Sequence, residues 1–258
     1  MPLSRHSTDP GEIMRSIFTT VDRRAVLAVA AALGLCTLFC GTAARAQAPA
    51  APLKIGIIGT GKIGGTLARH WVKAGHEVFV SSRHPEELQD LVKELGPRAH
   101  AGTPKEAAAF GSVVLVSIPY GAMPQIGADL RAELAGKVII DTSNPVERRD
   151  GAQAAEWQKK GAGVSTAELL HNNRVVRAYN CIPWMTLANE SNRQPERLAI
   201  PIGGDDKEAI AIAERLVRDS GFDPVLVGSL ARTREFDLGQ PLATGPLTAA
   251  QLRARIGP

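Results

Sequence analysis

Apolar residues along this chain fall into short unbroken runs separated by stretches of helical spacing. "LKIGIIG" (Leu53 to Gly59) is apolar almost throughout and ends in glycine, the pattern of a strand buried on both faces of a parallel sheet. Ile63, Leu67, Trp71 and Ala74 then recur on one helical face, and Gly75 ends that helix. "EVFVSS" predicts a second strand. "PEELQDLVKELG" predicts a helix with Pro85 near its first turn and Gly96 after its last. A short strand near Ala99 to Ala101 precedes "TPKE", where Thr103 and Glu106 make a capping box with Pro104 at the first helical position.

The alternation continues. "SVVLVSIP" and "GKVIIDTSNP" read as buried strands with a helix from about Met123 to Leu134 between them. An irregular stretch around Trp157 follows, then "STAE", whose Ser165 and Glu168 predict a second capping box before a short helix. "RVVRAYN", "LAIPIGG" and "DPVLVGS" read as strands, with a helix over Lys207 to Ser220. From Leu230 the chain is rich in Gly and Pro, with a last short helix after Thr248. This pattern predicts an α/β fold, a Rossmann-type, doubly wound, mainly parallel sheet extended by additional C-terminal strands. The expected division is a nucleotide-binding domain over residues 53–146, an α/β extension of the same fold over 147–230 and a tail over 231–258.

The N-terminal segment belongs to no part of this pattern. Arg23 and Arg24 precede an apolar run from Ala25 to about Cys40, and Ala44-Arg45-Ala46 supplies an A-x-A cleavage site. That order predicts a twin-arginine signal peptide over residues 1–46, with a linker over 47–52. The implied mature protein is periplasmic or secreted, without a stable membrane span after processing. Met1 and Met14 both stand as starts. Cys36 and Cys40 lie in the signal, so Cys181 alone remains and no intrachain disulfide can form. The formal charge is +4 and falls to +2 without residues 1–46, too small to argue for a nucleic-acid partner.

Candidate chemistry sits at the first strand end. Gly59-Thr60-Gly61-Lys62-Ile63-Gly64 is G-x-G-x-x-G between a strand and a helix. Gly59 suits the tight turn, Gly61 leaves room for a pyrophosphate, and Gly64 lets the helix lie close to the strand. The helix N-terminus offers free N–H groups and a partial positive charge to phosphates. At the end of the second strand stand Ser82 and Arg83, where an acidic residue would hold a ribose 2′-hydroxyl and repel a 2′-phosphate. A hydroxyl and a guanidinium favour the 2′-phosphate instead, so the expected cofactor is NADP(H).

The segments "KIGIIGTGKIGGTLARHWVKAGHEVFVSSR", "VLVSIP", "VIIDTSNP", "VVRAYNCIPWMTLAN" and "IPIGGDD" together resemble the NADPH-dependent reductases of the deazaflavin coenzyme F-420. The nucleotide-binding domain of the six-transmembrane metalloreductases is similar too. The resemblance runs from about Leu53 to the region of Pro241. It implies that Thr60 to Ile63 hold the pyrophosphate and Ser82 with Arg83 the 2′-phosphate. Ile118 and Pro119 would lie beside the nicotinamide, Asn144 and Pro145 would border the same cleft, and Ile182 and Pro183 would face the reacting rings. The implied reaction passes a hydride between NADPH and a deazaflavin, flavin or related small-molecule acceptor, in a protein that could form a homodimer. Trp184 and Met185 replace smaller residues of the family pattern.

Hydride transfer between two rings requires no protein nucleophile, and no catalytic residue is assigned. Tyr179, Asn180 and His171 are the nearest polar candidates; His171 reads as a helix-end residue and Tyr179 as part of the core edge. Two other functions fit the residues less well. An imine or ketone reductase of the hydroxyacid-dehydrogenase type would use a long helical C-terminal domain and a helix-borne lysine that this chain lacks. A non-catalytic NADP-binding redox sensor fits the absence of an acid–base pair.

Overall fold

The computed structural model describes residues 51–256 other than Asn173 and Thr244. The segment expected to be a signal peptide, with its expected cleavage site, and the linker as far as Ala50 lie outside the described residues. Among those described, no helix is long and apolar enough to cross a membrane.

The strands are β1 (Lys54–Ile58), β2 (Glu77–Ser81), β3 (Ala99–Gly102), β4 (Val113–Val116), β5 (Val138–Asp141), β6 (Val175–Arg177), β7 (Ala199–Gly204) and β8 (Asp223–Gly228). They form one sheet in the order β3-β2-β1-β4-β5-β6-β7-β8. The first six run parallel to their neighbours; β7 is antiparallel to β6, and β8 is parallel to β7. The order reverses between β1 and β4. In a sheet of this kind the crevice for a ligand opens there, outside the carboxyl ends of the strands.

Period-two alternation within the strands feeds two cores. Ile55, Ile57, Val113, Leu115, Val138 and Ile140 point to one face, where Leu67 and Trp71 of α1 (Lys62–Lys73) meet them. Ile58, Val114, Val116 and Ile139 point to the other, against Tyr120, Met123 and Trp157. Every residue of β4 and β5 is buried, which explains why both read as continuous apolar runs. Helices α2 (Gln89–Leu95) and α3 (Pro104–Phe110) complete the first half. Thr103 caps α3 through the predicted box with Glu106, a contribution of about 1 kcal/mol.

Three local expectations fail. Ser165 does not cap a helix. It lies inside α8 (Ala162–Leu169), which begins at Gly161, and its hydroxyl donates to Trp157 O. Gly161, at φ 98°, ends one helix and starts the next four residues before the expected cap, so the Ser165–Glu168 pair has no orphan N–H to satisfy. The stretch around Trp157 is not irregular either. It forms α6 (Glu147–Asp150) and α7 (Gln153–Lys160), whose starts carry no side-chain cap for a sequence reading to find. The helix expected over Met123 to Leu134 is broken at Leu130 into α4 (Met123–Asp129) and α5 (Arg131–Leu134).

In the second half, α9 (Trp184–Asn189) follows β6, and α10 (Lys207–Asp219) joins β7 to β8. Trp71 donates its indole N–H to Leu216 O of α10, which locks the first helix to the later half. Residues 231–256, set apart in the sequence as a tail, pack onto β7 and β8. Phe236, Leu242 and Leu252 of α11 (Ala249–Arg255) join Val225 and Val227 in a third cluster. Thr248 and Gln251 form a capping box at the start of α11.

Candidate functional site

The glycine turn is built by close approach. Gly59 has φ 94°, and a Cβ there would lie 2.3 Å from Ser117 O at the end of β4. A Cβ on Gly64 would lie 2.2 Å from Gly59 O, so the helix can sit on the turn only if that position is glycine. Gly61 differs: a Cβ there meets nothing within 4 Å and would project into open space. It is the N-cap of α1 and caps with no side chain, and the first turn contains no acidic residue. The N–H groups of Lys62, Ile63 and Gly64 therefore have no partner in the helix and face an anion-receptive opening.

Thr60 also has a structural part. Its hydroxyl donates to Ser81 O at 2.9 Å and accepts from Ser81 N–H at 3.0 Å, while its own N–H donates to Ser81 O at 3.2 Å. These bonds pin the glycine turn to the end of β2. Thr60 still lines the cleft beside that turn.

Beyond β2, the Ser82 hydroxyl oxygen accepts from His84 N–H at 3.1 Å, which leaves its own O–H to donate. Arg83 is exposed, and its guanidinium makes no hydrogen bond or ion pair with any described residue. Gly59, Thr60, Gly61, Ser82, Arg83, Ile118 and Pro119 line one cleft of about 550 Å³, closed by Pro104, Ala122 and Ile126. No acidic side chain lines it. A dinucleotide with a 2′-phosphate fits this lining: the start of a helix without a side-chain cap at Gly61, and an unpaired cation with a hydroxyl at one end.

The other predicted residues do not line that cleft: Lys62, Ile63 and Gly64 follow Gly61 in the first turn of α1. Asn144 and Pro145 line a polar pocket of about 170 Å³ with Gln158, Arg234 and Asp237, and Ile182 and Pro183 line a narrow crevice beside Cys181. Hydrogen bonds join these strand ends laterally. Ile118 N–H donates to Ser143 Oγ at 3.3 Å, and Asn144 Nδ2 donates to Asn180 O at 2.8 Å.

Beneath them lies an ionic cluster that the sequence reading missed. Arg177 is fully buried. It donates to Asp141 Oδ2 (2.8 Å), Asp237 Oδ1 (2.8 Å), Ser143 O (2.6 Å) and Asn144 Oδ1 (2.7 Å). Asp141 is also fully buried and accepts further bonds from Thr166 Oγ1 and Ser143 N–H. Burial pushes the Asp141 carboxyl up, against the opposing pull of Arg177. Burial works against the charge on Arg177, but the two carboxylates outweigh it and the guanidinium stays protonated. The available signal was a charged residue inside each of two apolar strand runs, "VIID" and "VVR", because buried charges come paired.

The remaining polar candidates are engaged elsewhere. Tyr179 is buried, edge-on to Trp71, with its hydroxyl donating to Leu216 O. His171 is exposed beyond the end of α8. Burial pushes the Cys181 thiol up to about 12, which keeps it protonated.

Residues 54–145 match the family model described as NADP oxidoreductase coenzyme F420-dependent, a span that takes in every candidate residue except Ile182 and Pro183. The chain is 31% identical over 198 residues to metalloreductase STEAP3 of Rattus norvegicus, covering 74% of this chain but only 37% of that protein. It is 28% identical over 204 residues to the F420-dependent NADP reductase of Methanothermobacter thermautotrophicus, covering 74% of this chain and 87% of that one. A crystal structure of a hypothetical protein from Sinorhizobium meliloti shares the fold, with a TM-score of 0.67 at 24% identity over 77% of this chain and 96% of that chain.

Proposed function

We propose that this chain, whose residues 54–145 match the family described as NADP oxidoreductase coenzyme F420-dependent, passes a hydride between NADPH and a deazaflavin, flavin or related planar acceptor. The observation that carries the NADP(H) assignment is the pairing of an unpartnered Arg83 and a free Ser82 O–H with an uncapped helix N-terminus in one cleft. When bound, the dinucleotide supplies the hydride chemistry. The chain's own residues bind and orient it.

Lys62, Ile63 and Gly64 present N–H groups to the pyrophosphate. Arg83 and Ser82 take the 2′-phosphate through charge-assisted hydrogen bonds. Ile118 and Pro119 form an apolar wall at the end of β4. Ser143 and Asn144, held by Arg177 and Asn180, keep the end of β5 in one position. Holding two rings in register is the main catalytic device such a transfer needs.

The test is NADPH oxidation followed by nicotinamide absorbance with a deazaflavin, FMN and FAD as acceptors. Oxidation by at least one of them, with NADPH preferred to NADH, is expected. Tight NADPH binding without oxidation by any acceptor would replace this reading with the redox sensor.

A further inference from the structure

Of the three tryptophans, Trp71 and Trp157 are buried, whereas Trp184 is 40% exposed, and Met185 beside it is 57% exposed. Among the described residues only four large apolar side chains are this exposed, and these two are adjacent in sequence. Trp184 opens α9 directly after Ile182 and Pro183. The ring is not idle: Lys62 Nζ lies 4.7 Å from its centroid, a cation–π contact and the only partner of that ammonium among the described residues. Lys62 is also the first residue of α1, so the backbone N–H of the same residue faces the anion-receptive opening. The two helices are held together independently of this contact, because His70 Nε2–H donates to Leu187 O at 2.9 Å and Leu187 is buried. Ring and ammonium therefore stay within reach of each other whatever binds.

A full ion pair with a pyrophosphate outranks a cation–π contact for an ammonium group. We propose that Trp184 is the stacking platform for the planar acceptor, and that Lys62 occupies the ring face until the dinucleotide's pyrophosphate draws the ammonium away. Acceptor binding is then conditional on the dinucleotide, and addition is ordered. This rests on the NADP(H) reading above and adds to it the acceptor platform and the coupling between the two ligands.

Tryptophan emission of the full chain tests it, with Trp184→Phe identifying the responding residue. NADP⁺ should change Trp184 emission, 2′,5′-ADP, which has no pyrophosphate, should not, and Lys62→Met should abolish the response. FMN and 5-deazariboflavin, titrated by their own fluorescence, should bind roughly tenfold more tightly with NADP⁺ present, a typical coupling between two sites. Lys62→Met should make their affinity independent of NADP⁺. Trp184→Ala should weaken binding, and Trp184→Phe should restore most of it. Unchanged Trp184 emission while calorimetry shows NADP⁺ bound, or equal acceptor affinity with and without it, overturns the proposal. Failure of NADP⁺ to bind by calorimetry overturns the cofactor reading beneath it, and the proposal with it.

Discussion

Two groups of strand ends solve opposite problems. At the end of β2, Arg83 is exposed and unpartnered, Ser82 keeps a free O–H, and α1 starts without a cap. At the ends of β5 and β6 the charged groups are engaged before any ligand arrives, and Arg177 alone satisfies four acceptors from full burial. Unpaired groups in water contribute little to folding and are free to contribute to binding. A buried, fully bonded ion contributes shape and has nothing left to offer a ligand. In the proposed function the first group selects the cofactor, and the second keeps neighbouring strand ends in place.

The largest expected break in this comparison comes from the buried side. Arg177→Met leaves Asp141 buried without its countercharge and should cost about 3–5 kcal/mol of stability, read by denaturant unfolding. A loss under 1 kcal/mol would mean that the cluster does not brace the fold. Next comes Arg83→Ala, expected to weaken NADPH binding by about 1.5–3 kcal/mol in calorimetry, with NADH and the unfolding midpoint nearly unchanged. Equal losses for both dinucleotides would remove the 2′-phosphate from the account.

The smallest effect sharpens the comparison by isolating the scaffold. His76 is buried, accepts from Leu53 N–H through Nδ1 and donates through Nε2 to Asp219, an arrangement that requires the neutral ring. Burial pushes its pKa below the ordinary value, so the unfolded chain takes up the proton first. Its contribution to stability is complete above about pH 6.5 and is lost as pH falls through the lower folded value. His70, shifted down for the same reason, acts in the same direction. His76→Asn should make the acid-side fall in melting temperature shallower; an unchanged slope would count against this origin.

Much of the first half of the fold was legible because its information is local. The run Leu53 to Gly59, the glycine turn and the helical stripe through Trp71 are neighbours in sequence, and glycine requirements at positions 59 and 64 follow from that geometry. Thr60 was read as a phosphate contact because its spacing suits one. Only the folded chain brings Ser81 to within 3.0 Å of its hydroxyl. Helices α6 and α7 escaped notice because no cap announces them, and Ser165 misled because a capping pair is persuasive only where a helix begins.

By itself, the sequence determined the alternation of strand and helix, the buried parallel sheet, the anion-receptive turn and the absence of a carboxylate after β2. Each depends on residues a few positions apart, where backbone preference and side-chain period decide the outcome. Tertiary structure alone decided that Arg177 meets Asp141, 36 residues away, and Asp237, 60 residues away, and that Lys62 covers Trp184. Such contacts arise only when strand order and helix packing carry distant segments together, and no local pattern encodes which distant partner a buried charge or an exposed ring will find.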